Sequence, residues 1–254
     1  MANDWFYYGA DKSDMLANVR GQVIDIFHIP TGRSVKFKAF VTAFSDKYTS
    51  DWTAEDVYGR MDPIQTFKKT SRKISLGWEV VAGSLEEAVD NLERCTELFQ
   101  MLYPVYAAGE GSISASSITA GPLFRLRFTN LLQDVSNAPS PGSTATAADN
   151  GLIGTMSGFT YEPDFQAGVF AVGSGTIYPQ TIKLQCDYTV NHTHGLGFDD
   201  SGEKREPVFP YNVQGDPIEA VLEFLESGAT GEPPSGDDVA TEAEAEAVEG
   251  EVTE

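Results

Sequence analysis

One stretch of the sequence, residues 72–103, limits the possible folds more than any other part, because a half-buried strand is followed at once by a long amphipathic helix. Apolar and polar residues alternate from Arg72 to Ala82, and a period of two is typical of a strand with one buried face. The apolar positions of this strand are Ile74, Leu76, Trp78, Val80 and Ala82. The pattern therefore predicts that the strand belongs to a sheet with one buried face and that the helix packs against a hydrophobic core.

The helix is predicted from Ser84 to Tyr103. Ser84 at its start and Glu87 three residues later match a capping box, and Pro104 ends the helix. Apolar residues at helical spacing form one stripe, which consists of Leu85, Ala88, Val89, Leu92, Cys95, Phe99 and Leu102. A helix with such a stripe is not stable alone in water, so it must pack on a sheet or on a neighbouring subunit.

Shorter runs of β-branched and alternating residues predict the remaining strands. These runs are residues 22–29, 34–44, 123–128, 152–161, 169–172 and 181–190. Residues 45–70 are predicted to be a long connection with a short helical turn at residues 52–57. A connection of this length inside a compact domain is uncommon unless it binds something.

These elements predict a mainly β (α+β) fold, an antiparallel β-sandwich or open barrel with one long packed helix. Residues 1–20 are predicted to be an N-terminal arm and residues 21–215 the β domain. A short C-terminal helix is predicted at residues 216–227, where Asp216 caps the helix and Pro217 opens it. Residues 228–254 form an acidic tail whose composition predicts disorder.

The chain is strongly acidic, with 38 Asp and Glu against 17 Lys and Arg, and a formal net charge of −21. This charge argues against a nucleic-acid-binding protein, which needs a basic surface.

The sequence predicts neither a secretory signal nor an apolar run long enough to cross a membrane. Cys95 and Cys186 both fall on apolar faces and are predicted to be small core residues rather than disulfide partners. Synthesis in the cytoplasm is the simplest interpretation.

His192 and His194 form the one cluster with the residue types of a metal site. The alternative interpretation is a polar strand end. A Gly-x-Ser-x-Gly motif and a phosphate-binding glycine loop are both absent, so we predict no catalytic, cofactor or metal residues and no enzyme activity. Two other functions stay open, a metal-dependent hydrolase that uses His192 and His194, and a carbohydrate-binding β-sandwich module with an exposed Trp5 or Trp52.

Several segments together resemble a family of bacteriophage tail proteins. Val57–Ile64, Thr70–Val80 and Met101–Tyr106 look like proteins at the baseplate end of the tail tube of contractile-tailed phages, either tube initiators or baseplate hub components. Residues 154–170, 178–184 and 192–198 are similar to the final strands of that group. The resemblance extends from Gln22 to Phe198 and leaves out the acidic tail.

The resemblance implies a tail-tube-like fold, in which six copies close into a hexameric ring and strands of neighbouring subunits join into one lumen wall. It implies a structural virion protein in the tail baseplate, made in the host cytoplasm, that assembles with other tube, hub and baseplate proteins. DNA would pass through the lumen without specific binding, and acidic surfaces would repel it.

The long connection would then reach the adjacent subunit or ring. Arg60 beside Asp62 would form an ion pair, either between subunits or within the loop. The predicted subunit-interface residues are Trp52, Tyr58, Arg60, Asp62, Ile64 and Phe67.

Overall fold

The structure is a computed structural model, and all of its described elements belong to one unit, residues 1–212. The described residues are 17, 22–38, 40–107, 117–137, 146–173 and 175–211. The predicted N-terminal arm, apart from residue 17, therefore lies outside the described residues. The predicted C-terminal helix and the acidic tail lie outside them as well.

The fold is mainly β, as predicted, with 51% of the described residues in strands. The strands are β1 (Val23–His28), β2 (Arg33–Lys38), β3 (Phe40–Glu55), β4 (Ile64–Val81), β5 (Val105–Tyr106), β6 (Ile118–Ala120), β7 (Phe124–Phe128), β8 (Leu152–Pro163), β9 (Val169–Ala171), β10 (Ile177–Pro179) and β11 (Thr181–Val190). The helices are α1 (Leu85–Met101), α2 (Ala147–Asn150) and a 3₁₀ turn (Val135–Asn137).

Seven strands form one antiparallel sheet in the order β2-β1-β7-β8-β11-β4-β3, and two short ribbons, β9–β10 and β5–β6, lie outside it. The sheet is strongly curved. The rings of Phe37 on β2 and Trp78 on β4 are 5.7 Å apart, although five strand spacings of about 4.8 Å would separate these strands in a flat sheet. The core is thus enclosed by one curved sheet, which resembles an open barrel more than two packed sheets.

The helix α1 packs against the inner face of this sheet, where Phe99 meets Phe159 of β8 at a ring distance of 5.4 Å. Its predicted start is confirmed, since the Ser84 hydroxyl accepts a hydrogen bond from the Glu87 amide. The predicted stripe is partly wrong. Leu85 is 37% exposed, whereas the buried face is formed by Ala88, Asn91, Arg94, Cys95, Leu98 and Met101. The face of the helix that packs on the sheet therefore includes Leu98 and Met101, which the predicted stripe did not contain, and the first turn of the helix is exposed.

The prediction of a long connection over residues 45–70 is wrong, and so is the helical turn at residues 52–57. These residues belong to a β-hairpin whose strands, β3 and β4, have 16 and 18 residues. The outer half of the hairpin has no buried residue, so the alternation that marks a half-buried strand is missing from its sequence. The strand predicted over residues 34–44 is likewise divided between β2 and β3.

Candidate functional site: an exposed hairpin arm

The outer half of the β3–β4 hairpin projects beyond the core, and we call residues 49–71 the arm. None of its residues is buried. The two strands stay paired from Thr49 opposite Ser71 to Glu55 opposite Ile64, a length of about 20 Å. Gly59 in the loop at the tip has a φ of +86°, a conformation that favours glycine.

One face of the arm is aromatic. Trp52 lies directly opposite Phe67, and their rings meet edge to face at 5.2 Å. Because side chains on a strand alternate, Trp52 shares its face of β3 with the buried Asp46. The register shifts between Asp51 and Trp52, where β4 has one extra residue. Phe67 therefore lies on the same face of the hairpin as Trp52. The core-side face of the hairpin therefore carries an aromatic pair beyond the domain, separated from the base by the polar pair Ser50 and Thr70.

The tip of the arm carries further apolar side chains. Tyr58 and Met61 are fully exposed, and Val57 and Ile64 are each more than 40% exposed. Exposed apolar residues scattered singly are ordinary, but an aromatic pair and several apolar side chains on one projecting element are typical of a protein interface. The arm is therefore the candidate functional site.

All six predicted interface residues lie on this arm and are exposed. Trp52, Ile64 and Phe67 are on its strands, while Tyr58, Arg60 and Asp62 are at its tip. Arg60 and Asp62 form no ion pair with each other or with another described residue. Sequence reasoning missed Met61, which is as exposed as Tyr58 and which only the hairpin geometry identifies as part of the surface.

The opposite face of the hairpin is polar and belongs to the outer face of the sheet. Its opposed residues on β3 and β4 are Ser45–Ser75, Lys47–Lys73 and Thr49–Ser71. Charges on this face are mixed, with Lys47, Lys73 and Lys183 beside Glu79, Glu162 and Asp187. The chain's acidic excess is therefore not concentrated on this face.

A buried ion pair lies at the base of the arm. The Arg72 guanidinium donates to both carboxylate oxygens of Asp46, with N···O distances of 2.7 and 3.1 Å, and the two side chains are 0% and 2% exposed. The guanidinium carbon lies 5.4 Å from the ring centre of Tyr48 and 5.6 Å from that of Phe209. This arrangement of rings shields the pair from water.

Phe209 belongs to a segment that we call the strap, residues 205–211, which follows the last strand. The Tyr211 hydroxyl lies 3.3 Å from Asp46 Oδ2, and the Tyr211 carbonyl accepts a hydrogen bond from Asn130. Burial raises the pKa of Tyr48 and of Tyr211, so both hydroxyls stay protonated beside the carboxylate. The strap is thus part of the environment that fixes the base of the arm.

His192 and His194 line the same small pocket, together with Asp134 and Phe209. The His192 ring lies 6.4 Å from that of Phe209, and its pKa is lowered by burial and then by the nearby Arg72 and His194. His194 lies between two carboxylates, with Nδ1 3.8 Å from Asp134 and Nε2 4.0 Å from Glu206. Among the residues that the structure describes, no group of three or more His, Cys, Asp and Glu side chains is placed to hold a metal ion.

In the described part of the chain, no helix has the length and apolar character needed to span a membrane. A scan against protein-family models finds no family that matches this sequence, and a search of curated proteins finds no similar one.

Proposed function

We propose that this protein is a structural subunit of a bacteriophage tail, which forms a ring at the baseplate end of the tail tube and joins tube and hub proteins. Its arm would contact the adjacent copy or a related subunit. The proposal combines the sequence resemblance with one observation, the exposed aromatic face of the arm. No catalytic role is proposed.

The aromatic face supports an assembly role because apolar surface of this kind gains free energy when it is buried. Trp52 and Phe67 are each at least half exposed, and each such ring can contribute about 1–3 kcal/mol when a partner covers it. Among the described residues, none covers this face of the hairpin enough to bury Trp52 or Phe67. A second copy of the chain is the simplest partner, since head-to-tail contacts between copies close into a ring.

The outer face of the sheet supports the same role. The opposed positions on β3 and β4 hold serine, threonine and lysine side chains, which are compatible with water. In a ring this face would line the lumen, where a mixed polar surface without a basic stripe would let DNA pass.

A shortened arm tests the proposal. Residues 51–69 are replaced by Asn-Gly, which forms a two-residue turn between Ser50 and Thr70, a directly opposed pair. This variant keeps Asp46 and Arg72, so the domain is expected to fold. In sedimentation and negative-stain electron microscopy, wild-type protein should form rings, alone or with tube proteins, whereas the variant should remain monomeric.

Point substitutions separate the two faces of the arm. Trp52→Ser with Phe67→Ser should abolish ring formation, whereas Thr49→Ala with Ser71→Ala on the polar face should preserve it. A wild-type protein that stays monomeric under every assembly condition would contradict the proposed function. Rings formed by the shortened variant would contradict the role of the arm.

A further inference from the structure

Two lysines face each other on the outer face of the sheet, close to the base of the arm. Lys47 on β3 and Lys73 on β4 are direct cross-strand partners. Like charges in this position repel each other and destabilise a sheet. Neither lysine forms an ion pair with a described residue, although the chain has more than twice as many acidic as basic residues. Two exposed ammonium groups on neighbouring strands, with no counter-ion among the described residues, are suited to bind an anion.

One carboxylate, that of Asp187, lines the same cavity as the two lysines but forms no ion pair with either of them. Asp187 on β11 is opposite Ser75, one step along β4 from Lys73. Its Oδ2 lies 3.4 Å from the position that a Cβ of Gly158 would occupy, and Gly158 is on β8, the strand on the far side of β11 from β4. The carboxylate therefore uses the space left by a glycine on its other side instead of neutralising Lys73.

Hydroxyl groups surround the two lysines. A shallow cavity of about 290 Å³ lies on this face, and its polar lining consists of Ser45, Lys47, Lys73, Ser75, Ser157, Asp187 and Thr189. The Ser157 hydroxyl is already a donor, to the Asp187 carbonyl. The other hydroxyls and the two ammonium groups offer several donors within one cavity, which suits an anion with several acceptor oxygens.

We propose that this cavity binds an oxyanion of the phosphate class between Lys47 and Lys73, with the hydroxyls of Ser45, Ser75 and Thr189 as further donors. The site goes beyond the proposed assembly function and does not depend on ring formation. The same chemistry is offered by free inorganic phosphate and by the phosphodiester backbone of a nucleic acid, and the experiment distinguishes these two sources.

The test uses the full-length chain and two probes, sodium phosphate at constant ionic strength and a 12-nucleotide single-stranded DNA. Thermal unfolding measures stabilisation by each probe. Phosphate should raise the Tm of the wild type with a saturable dependence. Lys47→Gln and Lys73→Gln should each weaken phosphate binding at least fivefold, and each should slightly raise the Tm without phosphate because the repulsion is relieved. Lys69→Gln is the matched control, because Lys69 lies on the same face with Asp51 3.9 Å away.

The possible outcomes distinguish free phosphate from a phosphodiester, and they include results that would contradict the proposal. Saturable stabilisation by phosphate alone, lost in both variants, assigns the site to a free oxyanion. Stabilisation by both probes, with competition between them and loss in both variants, assigns it to a phosphodiester, and this face would then bind DNA rather than let it pass. Stabilisation by neither probe, stabilisation that does not saturate, or an equal response of the wild type and the two variants overturns the proposal.

Discussion

The carboxylate of Asp46 and the guanidinium of Arg72 form a buried ion pair across β3 and β4, with a shortest distance of 2.7 Å, at the point where the arm leaves the domain. A bidentate pair of this kind fixes the orientation of both strands, since the planar guanidinium must match the plane of the carboxylate. Rings from Tyr48 and Phe209 cover the pair. The direction of the arm is therefore set by a chemical interaction inside the domain.

Asp46→Asn should destabilise the protein by about 3–5 kcal/mol, because the buried Arg72 charge loses its counter-ion. Chemical denaturation of the monomer measures the loss. Replacing both residues, with Asp46→Leu and Arg72→Met, should restore most of the stability, because no uncompensated charge then remains.

Asp51→Asn is the control for this prediction. Asp51 forms an exposed ion pair with Lys69 at 3.9 Å, so its loss should cost less than about 1 kcal/mol. Equal losses for Asp46→Asn and Asp51→Asn would contradict the claim that burial makes the first pair important.

Phe209→Ala should loosen the base of the arm, because it removes one of the two rings that shield Arg72. We expect a loss of about 2 kcal/mol, less than for a fully buried phenylalanine. Hydrogen exchange should become faster at the backbone amides of residues 46–48.

Tyr211→Phe removes only the hydroxyl near Asp46, and it should lower the free energy of unfolding by about 1 kcal/mol. Unchanged exchange in Phe209→Ala would mean that the strap does not hold the arm.

The sequence predicted the elements that have one buried face. The strand at residues 181–190 was placed with the same bounds as β11, and the start of α1 was correct because Ser84 and Glu87 are local signals. Residues 45–70 were predicted to bind a partner, which stays a prediction, but their hairpin structure was not predicted. The arm lacks the alternation of a half-buried strand, since neither of its faces is buried.

The ion pair at the base of the arm could not be predicted for a different reason. Asp46 and Arg72 are 26 residues apart, and each stands among other polar residues. Only the pairing of Tyr48 with Arg72 in the hairpin brings them together. The contribution of Tyr211, 165 residues from Asp46, is even less visible in the sequence.

Gly154→Ala should destabilise the domain by about 3 kcal/mol, because a methyl group has no room there. A Cβ at this position would lie 2.2 Å from the Thr189 carbonyl oxygen and 2.7 Å from the Tyr188 ring. The Tyr188 ring cannot move easily, since its hydroxyl lies within hydrogen-bonding distance of the carbonyl oxygens of Leu152 and Phe124. Thermal unfolding measures the Tm of Gly154→Ala. The control is Gly121→Ala, where a Cβ would meet open space and we expect little change in Tm. A Tm for Gly154→Ala equal to that of the wild type would show that β8 and β11 can move apart.

Ser84→Ala should cost about 1 kcal/mol, because the Glu87 amide loses the acceptor that caps α1. Ser84→Asp should retain most of the stability, since a carboxylate also caps a helix N-terminus. The Glu87 carboxylate accepts from the Gly83 amide and pairs with Lys38, so the turn stays anchored in both variants. Urea denaturation distinguishes them, and equal stability of the alanine and aspartate variants would exclude a capping role for Ser84.

The pH dependence of stability should reflect His28, which is 1% exposed. Its Nδ1 is 2.8 Å from the Thr31 hydroxyl, and its Nε2 is buried with no hydrogen-bond partner among the described residues. Burial lowers the pKa of His28 below its ordinary value of 6.5, although Glu97 opposes this shift. Near and below pH 6.5 the unfolded chain therefore binds a proton that the folded chain does not, and the free energy of unfolding falls as the pH falls.

Denaturation curves between pH 7.5 and 5.5 should show this decline in the wild type. His28→Gln should make it shallower, because glutamine does not titrate and can still bond to Thr31. His28→Gln with His192→Gln should flatten it further, since the pKa of His192 is lowered as well. The decline attributable to His28 cannot exceed about 1.4 kcal/mol per pH unit. An identical decline in the wild type and both variants would assign the pH dependence to carboxylates instead.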